Sequence, residues 1–283
     1  MKRSLFIALA VTAGIATAAL STAGCSTTSR GAATAATAPS ARPVTYAPQV
    51  VLPFGEFINH LAGVMVDTAG NVYALDLYYG QVWEMAAGAS KPAPLPFTHL
   101  GQSVDAAVDA AGNLYVTDDF KHRVLKLTPG TTSPTVLPFS DLNMIAGIAV
   151  DTSGNVYVSD SGNETVLRLA PGSASPTVLP FNAIDPGGVA VDTSGNVYVA
   201  GSPKVLSFTD LELPTHVAVD GSGNLYVIDL GANRVLKLDA GASSPIVLSF
   251  NDLNHPVSLA VDTWGNVYLN DGFHFRILKL PVR

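Results

Sequence analysis

The sequence predicts an all-β fold, a six-bladed β-propeller, and three observations support this prediction. The phrase D-x-x-G-N-[VL]-Y occurs six times, with its aspartates at Asp67, Asp109, Asp151, Asp192, Asp220 and Asp262. The spacings of 42, 42, 41, 28 and 42 residues are typical of propeller blades, each a four-stranded sheet. Only 13% of the 283 residues are charged, so the surface is expected to consist mostly of Ser, Thr, Asn and Gly, as in turns.

The third copy shows how the residues predict one blade. Residues 147–151 (GIAVD) are apolar on both faces, as expected of an inner strand packed between neighbouring blades. The turn TSGN follows, in which Gly154 can take the positive φ of a tight hairpin. Residues 155–160 and 164–169 are the second and third strands, and SPTVLPF at 175–181 is the fourth. A Pro/Gly/Ser loop joins the third and fourth strands.

Two sets of aspartates recur, and both are predicted to be structural. The turn aspartates suit hairpin hydrogen bonding, and their spacing does not match a calcium loop. A second set ends the second strand of each blade, and arginines begin several third strands, so the two groups are expected to pair across the turn. These residues are Asp76, Asp118, Asp160, Asp229 and Asp271, with Arg123, Arg234 and Arg276.

The phrase QVVLPF at 49–54 precedes the first copy, although it matches the strand that closes later ones. The last copy ends soon after its third strand, at 276–280, and lacks a fourth. We therefore predict that the N-terminal strand pairs with 276–280, completes blade six and closes the ring. Closure would remove an exposed strand edge and exposed apolar blade faces.

The spacing of 28 residues between Asp192 and Asp220 marks a shortened fourth blade. PKVLSF at 203–208 would follow directly as its third strand, so blade four is expected to lack its outer strand. The exposed edge is interpreted as a tolerated deletion, with strand addition by a partner as the alternative.

The N-terminus resembles an export signal. Lys2 and Arg3 precede an apolar run, and small residues lead to Cys25, which predicts a lipoprotein-type signal peptide at 1–24. An ordinary cleaved signal with a leftover cysteine is the alternative. Acyl chains such as palmitate on Cys25 would anchor the protein to the outer face of the cell membrane. Residues 25–48, rich in Ser, Thr, Ala and Pro, are predicted to be a flexible tether, and residues 49–283 the propeller.

The net charge of −7 argues against nucleic acid as a partner, because Lys and Arg supply most of the affinity for phosphate. With one cysteine, no internal disulfide can form.

The repeats resemble NHL-repeat propellers over residues 49–283. The resemblance is carried by GVAVDTSGNVYV at 188–199, by RVLKL at 123–127 and 234–238, and by LPFSDLN at 137–143. They look most like the extracellular sensor propeller of the mycobacterial serine/threonine protein kinase D. This resemblance implies a six-bladed sensor or binding platform outside the membrane. It does not imply kinase activity, since no kinase motif is present.

Some NHL-repeat relatives are lyases that use a metal and histidines around the central channel, which makes a metal-dependent enzyme one alternative. The residues at the corresponding inner-strand positions are Gly63, Asp105, Gly147, Gly188, His216 and Ser258. One His and one Asp do not make a metal site, which usually needs three protein ligands. No catalytic residue, metal or cofactor is therefore predicted, and a structural envelope scaffold is the other alternative.

A ligand-binding site is predicted on the face that carries the variable loops. Blades six, one and two, adjacent in a closed ring, bring aromatic residues and five of the six histidines to this face. The expected ligand is an extracytoplasmic protein, peptide or envelope glycan. The alternative is that the aromatics cap the blades and the histidines are solvated. The predicted residues are Tyr78, Tyr79, Phe120, Lys121, His122, Phe273, His274, Phe275, His60, His99 and His255.

Overall fold

The repeated four-stranded unit is present in the computed structural model. The structure describes residues 44–55, 57–58, 60–77, 79–97, 100–101, 105–181, 185–201, 208 and 211–283. The predicted signal peptide, Cys25 and most of the predicted tether lie outside this part of the chain. No helix among the described residues is long and apolar enough to cross a membrane.

Short antiparallel strands make up nearly all of the regular structure. The strands are β1 (Val50–Leu52), β2 (Leu61–Val66), β3 (Val72–Asp76), β4 (Gln81–Met85), β5 (Ala93–Pro94), β6 (Ala106–Val108), β7 (Leu114–Asp118), β8 (Arg123–Leu127), β9 (Thr135–Val136), β10 (Ile145–Val150), β11 (Val156–Asp160), β12 (Thr165–Leu169), β13 (Thr177–Val178), β14 (Val189–Val191), β15 (Val197–Val199), β16 (Pro214–Val219), β17 (Leu225–Asp229), β18 (Arg234–Leu238), β19 (Ile246–Val247), β20 (Pro256–Val261), β21 (Val267–Asp271) and β22 (Arg276–Leu280). Single 3-10 turns lie at Asp119–Lys121, Leu230–Ala232 and Gly272–His274.

These strands form five four-stranded sheets and one two-stranded sheet. Blades one, two, three and five have the orders β2-β3-β4-β5, β6-β7-β8-β9, β10-β11-β12-β13 and β16-β17-β18-β19. Blade six has the order β20-β21-β22-β1, and β14-β15 form the two-stranded sheet. The described residues therefore contain five blades of four strands, whereas the sequence predicts six blades, the fourth of them with three strands. Of the third strand predicted for blade four, only Phe208 is described, and it is not in a strand.

The inner strands contact one another in a closed circle. Strand β2 contacts β6, β6 contacts β10, β10 contacts β14, β14 contacts β16, β16 contacts β20, and β20 returns to β2. The two-stranded sheet thus occupies the place between blades three and five, where blade four was predicted.

Six hydrophobic clusters lie between neighbouring sheets and make up the core. Each cluster contains a phenylalanine packed together with side chains of the next sheet. In the five four-stranded sheets this phenylalanine follows the outer strand, and Phe208 is its equivalent beside the two-stranded sheet. In five blades this Phe N–H bonds to the carbonyl two residues earlier at 2.7–2.9 Å, which is a γ-turn. The γ-turn ends the strand pairing, so the outer strands are shorter than predicted. The phenylalanines are Phe54, Phe97, Phe139, Phe181, Phe208 and Phe250.

The predicted ring closure by the N-terminal strand is present. Strand β1 pairs antiparallel with β22, with Val50 opposite Lys279 and Leu52 opposite Ile277. The pairing continues into residues assigned to the tether, because Ala47 N donates to Pro281 O at 2.7 Å. The two ends of the described chain therefore share one sheet.

The six turn aspartates have the hydrogen-bonding role predicted for them. In each turn one carboxylate oxygen accepts the backbone N–H groups two and four residues later, and the other accepts an Asn amide and a Tyr hydroxyl. All of these bonds measure 2.7–3.1 Å. Gly154 has φ 80°, as the turn requires. Each carboxylate thus joins its hairpin turn to the second strand.

Candidate functional site

The strand directions separate the molecule into two faces. The "loop face" carries the leading loops, which precede each inner strand, and the turns between second and third strands. The "turn face" carries the D-x-x-G-N turns and the loops between third and fourth strands. Since β2 and β3 pair antiparallel, the start of each inner strand lies beside the end of the second strand.

Buried aspartates at the ends of the second strands hold the loop face in place. Asp118 accepts from Gly101 N at 3.0 Å, and Asp271 accepts from Asn254 N at 2.7 Å, so each fixes the leading loop of its own blade. The predicted Asp–Arg pairs are confirmed at Asp118–Arg123, Asp229–Arg234 and Asp271–Arg276, with N–O distances of 2.8–2.9 Å. Because the carboxylates are fully buried, these pairs give the loops a rigid base.

Blade six presents two exposed phenylalanines on this face. Phe273 is 60% exposed, and its ring stacks on His255 at 4.2 Å between centroids and 6° between planes. Phe275 is 46% exposed and meets His60 of blade one edge-on at 5.8 Å. His274 Nδ1 lies 2.9 Å from Asp271 Oδ2. The loop of blade six therefore reaches the leading loop of blade one, as the predicted ring order requires.

Blades one and two add the other described aromatics of the sector. Tyr79 is 64% exposed, and its N–H donates to Asp76 Oδ1 at 3.0 Å. Phe120 is 77% exposed, and Lys121 and His122 beside it are also exposed. Tyr78 and His99 lie outside the described residues.

Direct contacts link the loop ends of blades one and two. A Cβ added to Gly80 of blade one would collide with the carbonyl of Leu100, which precedes blade two. A Cβ on Gly101 would collide with Phe120. These close approaches place Tyr79 and Phe120 on adjoining surfaces of one sector.

The backbone at Phe275 has an uncommon conformation for a bulky residue. Its φ is 49°, in the left-handed region, which side chains with a Cβ adopt at a cost. The equivalent residues in blades one, two, three and five are Gly80, His122, Glu164 and Asn233, each with φ of 48–57°. The left-handed conformation is therefore a feature of the repeat, and what distinguishes blade six is that an exposed aromatic side chain occupies this position. The repeat pattern could have revealed it, because Gly and Asn mark this position in two blades.

Three histidine side chains of the sector contact neighbouring residues, although one interpretation of the sequence has these histidines as solvated loop residues. His255 is stacked, and its backbone N–H donates to Asn233 Oδ1 of blade five at 2.8 Å. His60 contacts Phe275, and His274 contacts Asp271. The side chains of His60, His255 and His274 therefore support neighbouring residues of the sector. Whether the sector binds a ligand stays a prediction.

The central channel is the second place where polar groups meet. It is a cavity of about 170 Å³ lined by the inner strands and includes Asp105 and His216. Asp105 is 4% exposed, and its Oδ2 accepts from Ile148 N of blade three at 3.0 Å. In blade six, Ser258 Oγ accepts from Val64 N of blade one at 3.2 Å. Both side chains thus bond one inner strand to the next.

The pKa of Asp105 reflects both its burial and the hydrogen bonds that join the inner strands. Burial raises the pKa of its carboxyl group, while His216 and the backbone N–H groups of Ile148 and Ala106 oppose the rise. Among the described residues, no three His, Cys, Asp or Glu side chains lie close enough together to hold a metal ion. The exposed side chains of Tyr79, Phe120, Phe273 and Phe275 make the loop face the candidate binding site.

Comparisons with known proteins agree with the fold. The NHL repeat model matches residues 142–169, and the beta-propeller repeat model matches residues 180–202. No curated protein matches the chain.

Several solved structures share the arrangement at low sequence identity. A gluconolactonase from Xanthomonas campestris is 13% identical with a TM-score of 0.69, over 86% of this chain and 96% of its own. A virginiamycin B lyase from Staphylococcus aureus, as a catalytically inactive form with quinupristin, is 11% identical with a TM-score of 0.61, over 85% and 100%. The PQQ-bound aldose sugar dehydrogenase from Streptomyces coelicolor is 14% identical with a TM-score of 0.61, over 86% and 100%. At such identities these similarities establish the fold alone, and together with the repeat matches they support an NHL-type β-propeller.

Proposed function

We propose that this protein is an extracytoplasmic binding or sensor propeller, anchored to the outer face of the cell membrane through lipidated Cys25. Its loop face recognises a protein, peptide or envelope glycan. The two-stranded sheet is the reduced fourth blade of a six-bladed ring. The role parallels that of the extracellular sensor propeller of kinase D, which the repeats resemble.

The observation that carries the proposal is the group of exposed aromatics on one sector of the loop face. We call Tyr79, Phe120, Phe273 and Phe275 the "aromatic patch"; their exposed fractions range from 46% to 77%. Aromatic side chains dominate binding energy at protein interfaces and supply flat surfaces for stacking. Because Phe273 stacks on His255 and Phe275 contacts His60, these two rings would lose little conformational entropy on binding.

Alanine substitution of three patch residues tests the proposal. We expect the triple variant Tyr79→Ala, Phe120→Ala, Phe273→Ala to lose binding to its ligand, because each anchoring residue contributes about 2 kcal/mol or more. Its free energy of unfolding should fall by less than about 1.5 kcal/mol in total, since each exposed substitution costs roughly 0.5 kcal/mol or less. The measurement is capture from envelope extract, with separate protein and glycan analysis of the eluate, alongside chemical denaturation.

A matched control is Met144→Ala, which removes a 61% exposed side chain on the loop face outside the sector. It should retain binding. Equal capture by wild type and triple variant would refute the aromatic patch as the site, and collapse of the triple variant would show that these rings are packing.

The anchor has its own test. Replacing Cys25 with Ala should release the protein into the medium, because acyl chains provide about 0.8 kcal/mol per buried CH₂ and this variant would lack them. Continued retention of this variant in the membrane fraction would count against lipidation.

A further inference from the structure

The chain enters the propeller from the turn face. Tyr46 forms a bridge with Val282, and Arg283 N donates to Thr45 O at 2.9 Å. Val282 N donates to Asn266 Oδ1 at 2.9 Å, and Asn266 belongs to the D-x-x-G-N turn of blade six. The segment that carries Cys25 is therefore joined to the turn face, opposite the aromatic patch.

Trp264 lies beside this junction and differs from its equivalents. The corresponding residue in the other five turns is small, whereas Trp264 is 62% exposed. Its backbone N–H donates to Asp262 Oδ1 at 3.0 Å, so the turn itself has the common geometry. Its ring extends over the turn of blade one, 3.7 Å from the Cβ position of Gly70. The equivalents of Trp264 are Ala69, Ala111, Ser153, Ser194 and Ser222.

Exposed charges are distributed unequally between the two faces. Among the described residues of the loop face, one lysine, Lys121, and five acidic side chains are exposed, the latter at Asp141, Glu164, Asp185, Glu212 and Asp252. The exposed charged side chains described on the turn face are Lys91, Arg283 and Asp239, and Lys237 pairs with Asp239 at 2.8 Å. The turn face also carries the six turn aspartates, which are half-buried or buried. Among the exposed side chains, the loop face is the more negative of the two, so an anionic surface would be met more favourably by the turn face.

The geometry points to a second membrane contact: the turn face docks on the anionic bilayer surface, with the Trp264 indole in the headgroup region. This inference rests on the proposed anchor at Cys25. Trp favours the membrane–water interface, because its ring is apolar and its N–H is polar. The aromatic patch would then face away from the membrane, open to partners.

The tether would increase the fraction of molecules whose turn face contacts the bilayer, even if this contact is weak by itself. Cys25 is 19 residues before Val44. A flexible chain of that length has an end-to-end distance of roughly 25 Å, which keeps the turn face at a high effective concentration near the bilayer. A second copy of the chain is a poorer occupant, because one Trp among Gly, Ser, Thr and Ala offers little of the large, aromatic-rich core that stable interfaces have.

Tryptophan fluorescence on tethered chains tests the inference without relying on native lipidation. Cys25 is the sole cysteine, so the chain from Cys25 to Arg283 can be coupled through its thiol to maleimide-lipid vesicles containing phosphatidylglycerol. Trp83→Phe leaves Trp264 as the one tryptophan. On coupling, we expect the Trp264 emission to move to shorter wavelength, to be quenched by brominated lipids, and to become protected from acrylamide.

A matched control moves the probe to the other face. The variant Trp83→Phe, Trp264→Ala, Phe120→Trp should show neither lipid quenching nor protection after coupling. If Trp83→Phe does not fold, the fluorescence of Trp264 can be obtained by subtraction. The emission of the Trp264→Phe variant is subtracted from that of the chain with both tryptophans.

Three results would overturn the inference. These are equal acrylamide quenching of Trp264 before and after coupling, equal lipid quenching of the Phe120→Trp probe, and a wavelength shift in uncoupled chains that grows with protein concentration, which would indicate self-association. Because coupling is chemical, failure here is distinguishable from failure of the anchor, which the Cys25→Ala release experiment reports.

Discussion

Phe54→Ala is expected to lower the free energy of unfolding by about 3–5 kcal/mol, the usual cost of truncating a fully buried Phe. Phe54 is 0% exposed and lies in a cluster with Tyr268 and Ile277 of blade six and Val72 and Ala74 of blade one. It therefore fills the interface at which the two ends of the ring meet. Chemical denaturation of wild type and variant measures the loss.

Two controls separate ring closure from general sensitivity. Val51→Ala changes a 55% exposed side chain of the same strand and should cost roughly 0.5 kcal/mol or less. Phe139→Ala removes the equivalent ring between blades two and three, which is 9% exposed, and should also be strongly destabilising. A Phe54→Ala variant as stable as Val51→Ala would contradict the packing of the N-terminal strand.

Asp151→Ala should have the next largest effect, a loss of about 2–4 kcal/mol, because a turn aspartate serves several donors at once. It would leave two backbone N–H groups, the Asn155 amide and the Tyr157 hydroxyl without their acceptor. Donors that lose a buried partner cost about 1–3 kcal/mol each when water cannot reach them. Glu212→Ala, which removes an exposed carboxylate, is the control and should cost roughly 0.5 kcal/mol or less.

The contribution of Asp151 should also depend on pH. Burial alone would raise its pKa, but the hydrogen bonds from Asn155, Tyr157 and Ser153 outweigh burial and lower the pKa below its usual value. A lowered pKa in the folded state means that the stabilisation is fully present above the unfolded value, about 3.9, and is lost as the pH falls through the folded value.

Denaturation of wild type and Asp151→Asn from pH 7 to pH 2 measures this dependence. The stability difference between them should be constant near neutrality and narrow in acid. A stability difference that widens as the pH falls would contradict a lowered pKa for Asp151 in the folded state. Asp192 has the same partners and the same direction of shift, so Asp192→Asn should behave alike.

The sequence predicted the ring because its evidence is local and repeated. The N-terminus has an extra fourth strand, and the last repeat lacks one. The sequence therefore predicted that the two pair, as β1 and β22 do. The extension at Thr45 and Ala47 was not predicted, because it depends on backbone hydrogen bonds that leave no side-chain pattern. The γ-turns that shorten the outer strands likewise depend on backbone geometry.

The candidate site was predicted only at the level of faces and sectors. Counting strands places Phe273 and His60 on one face, but the stacking of Phe273 on His255 depends on side-chain conformations that the sequence does not specify. The bond from Ile148 N to Asp105 was also missed, because it joins two repeats through one irregular residue. Such departures from the repeat depend on their neighbours, and sequence periodicity carries no information about them.

Disulfide trapping tests ring closure most directly. In a Cys25→Ala background, Val50→Cys and Lys279→Cys place thiols on directly paired residues of β1 and β22, and directly opposed residues on an antiparallel pair have Cβ atoms about 4.5–5.5 Å apart. Mild oxidation should give an intramolecular disulfide in nearly all molecules, whereas Val50→Cys with Val178→Cys, on blade three, should give none. Failure of the first pair to cross-link within one chain, under conditions in which the protein remains folded, would contradict a ring closed by its own N-terminal strand.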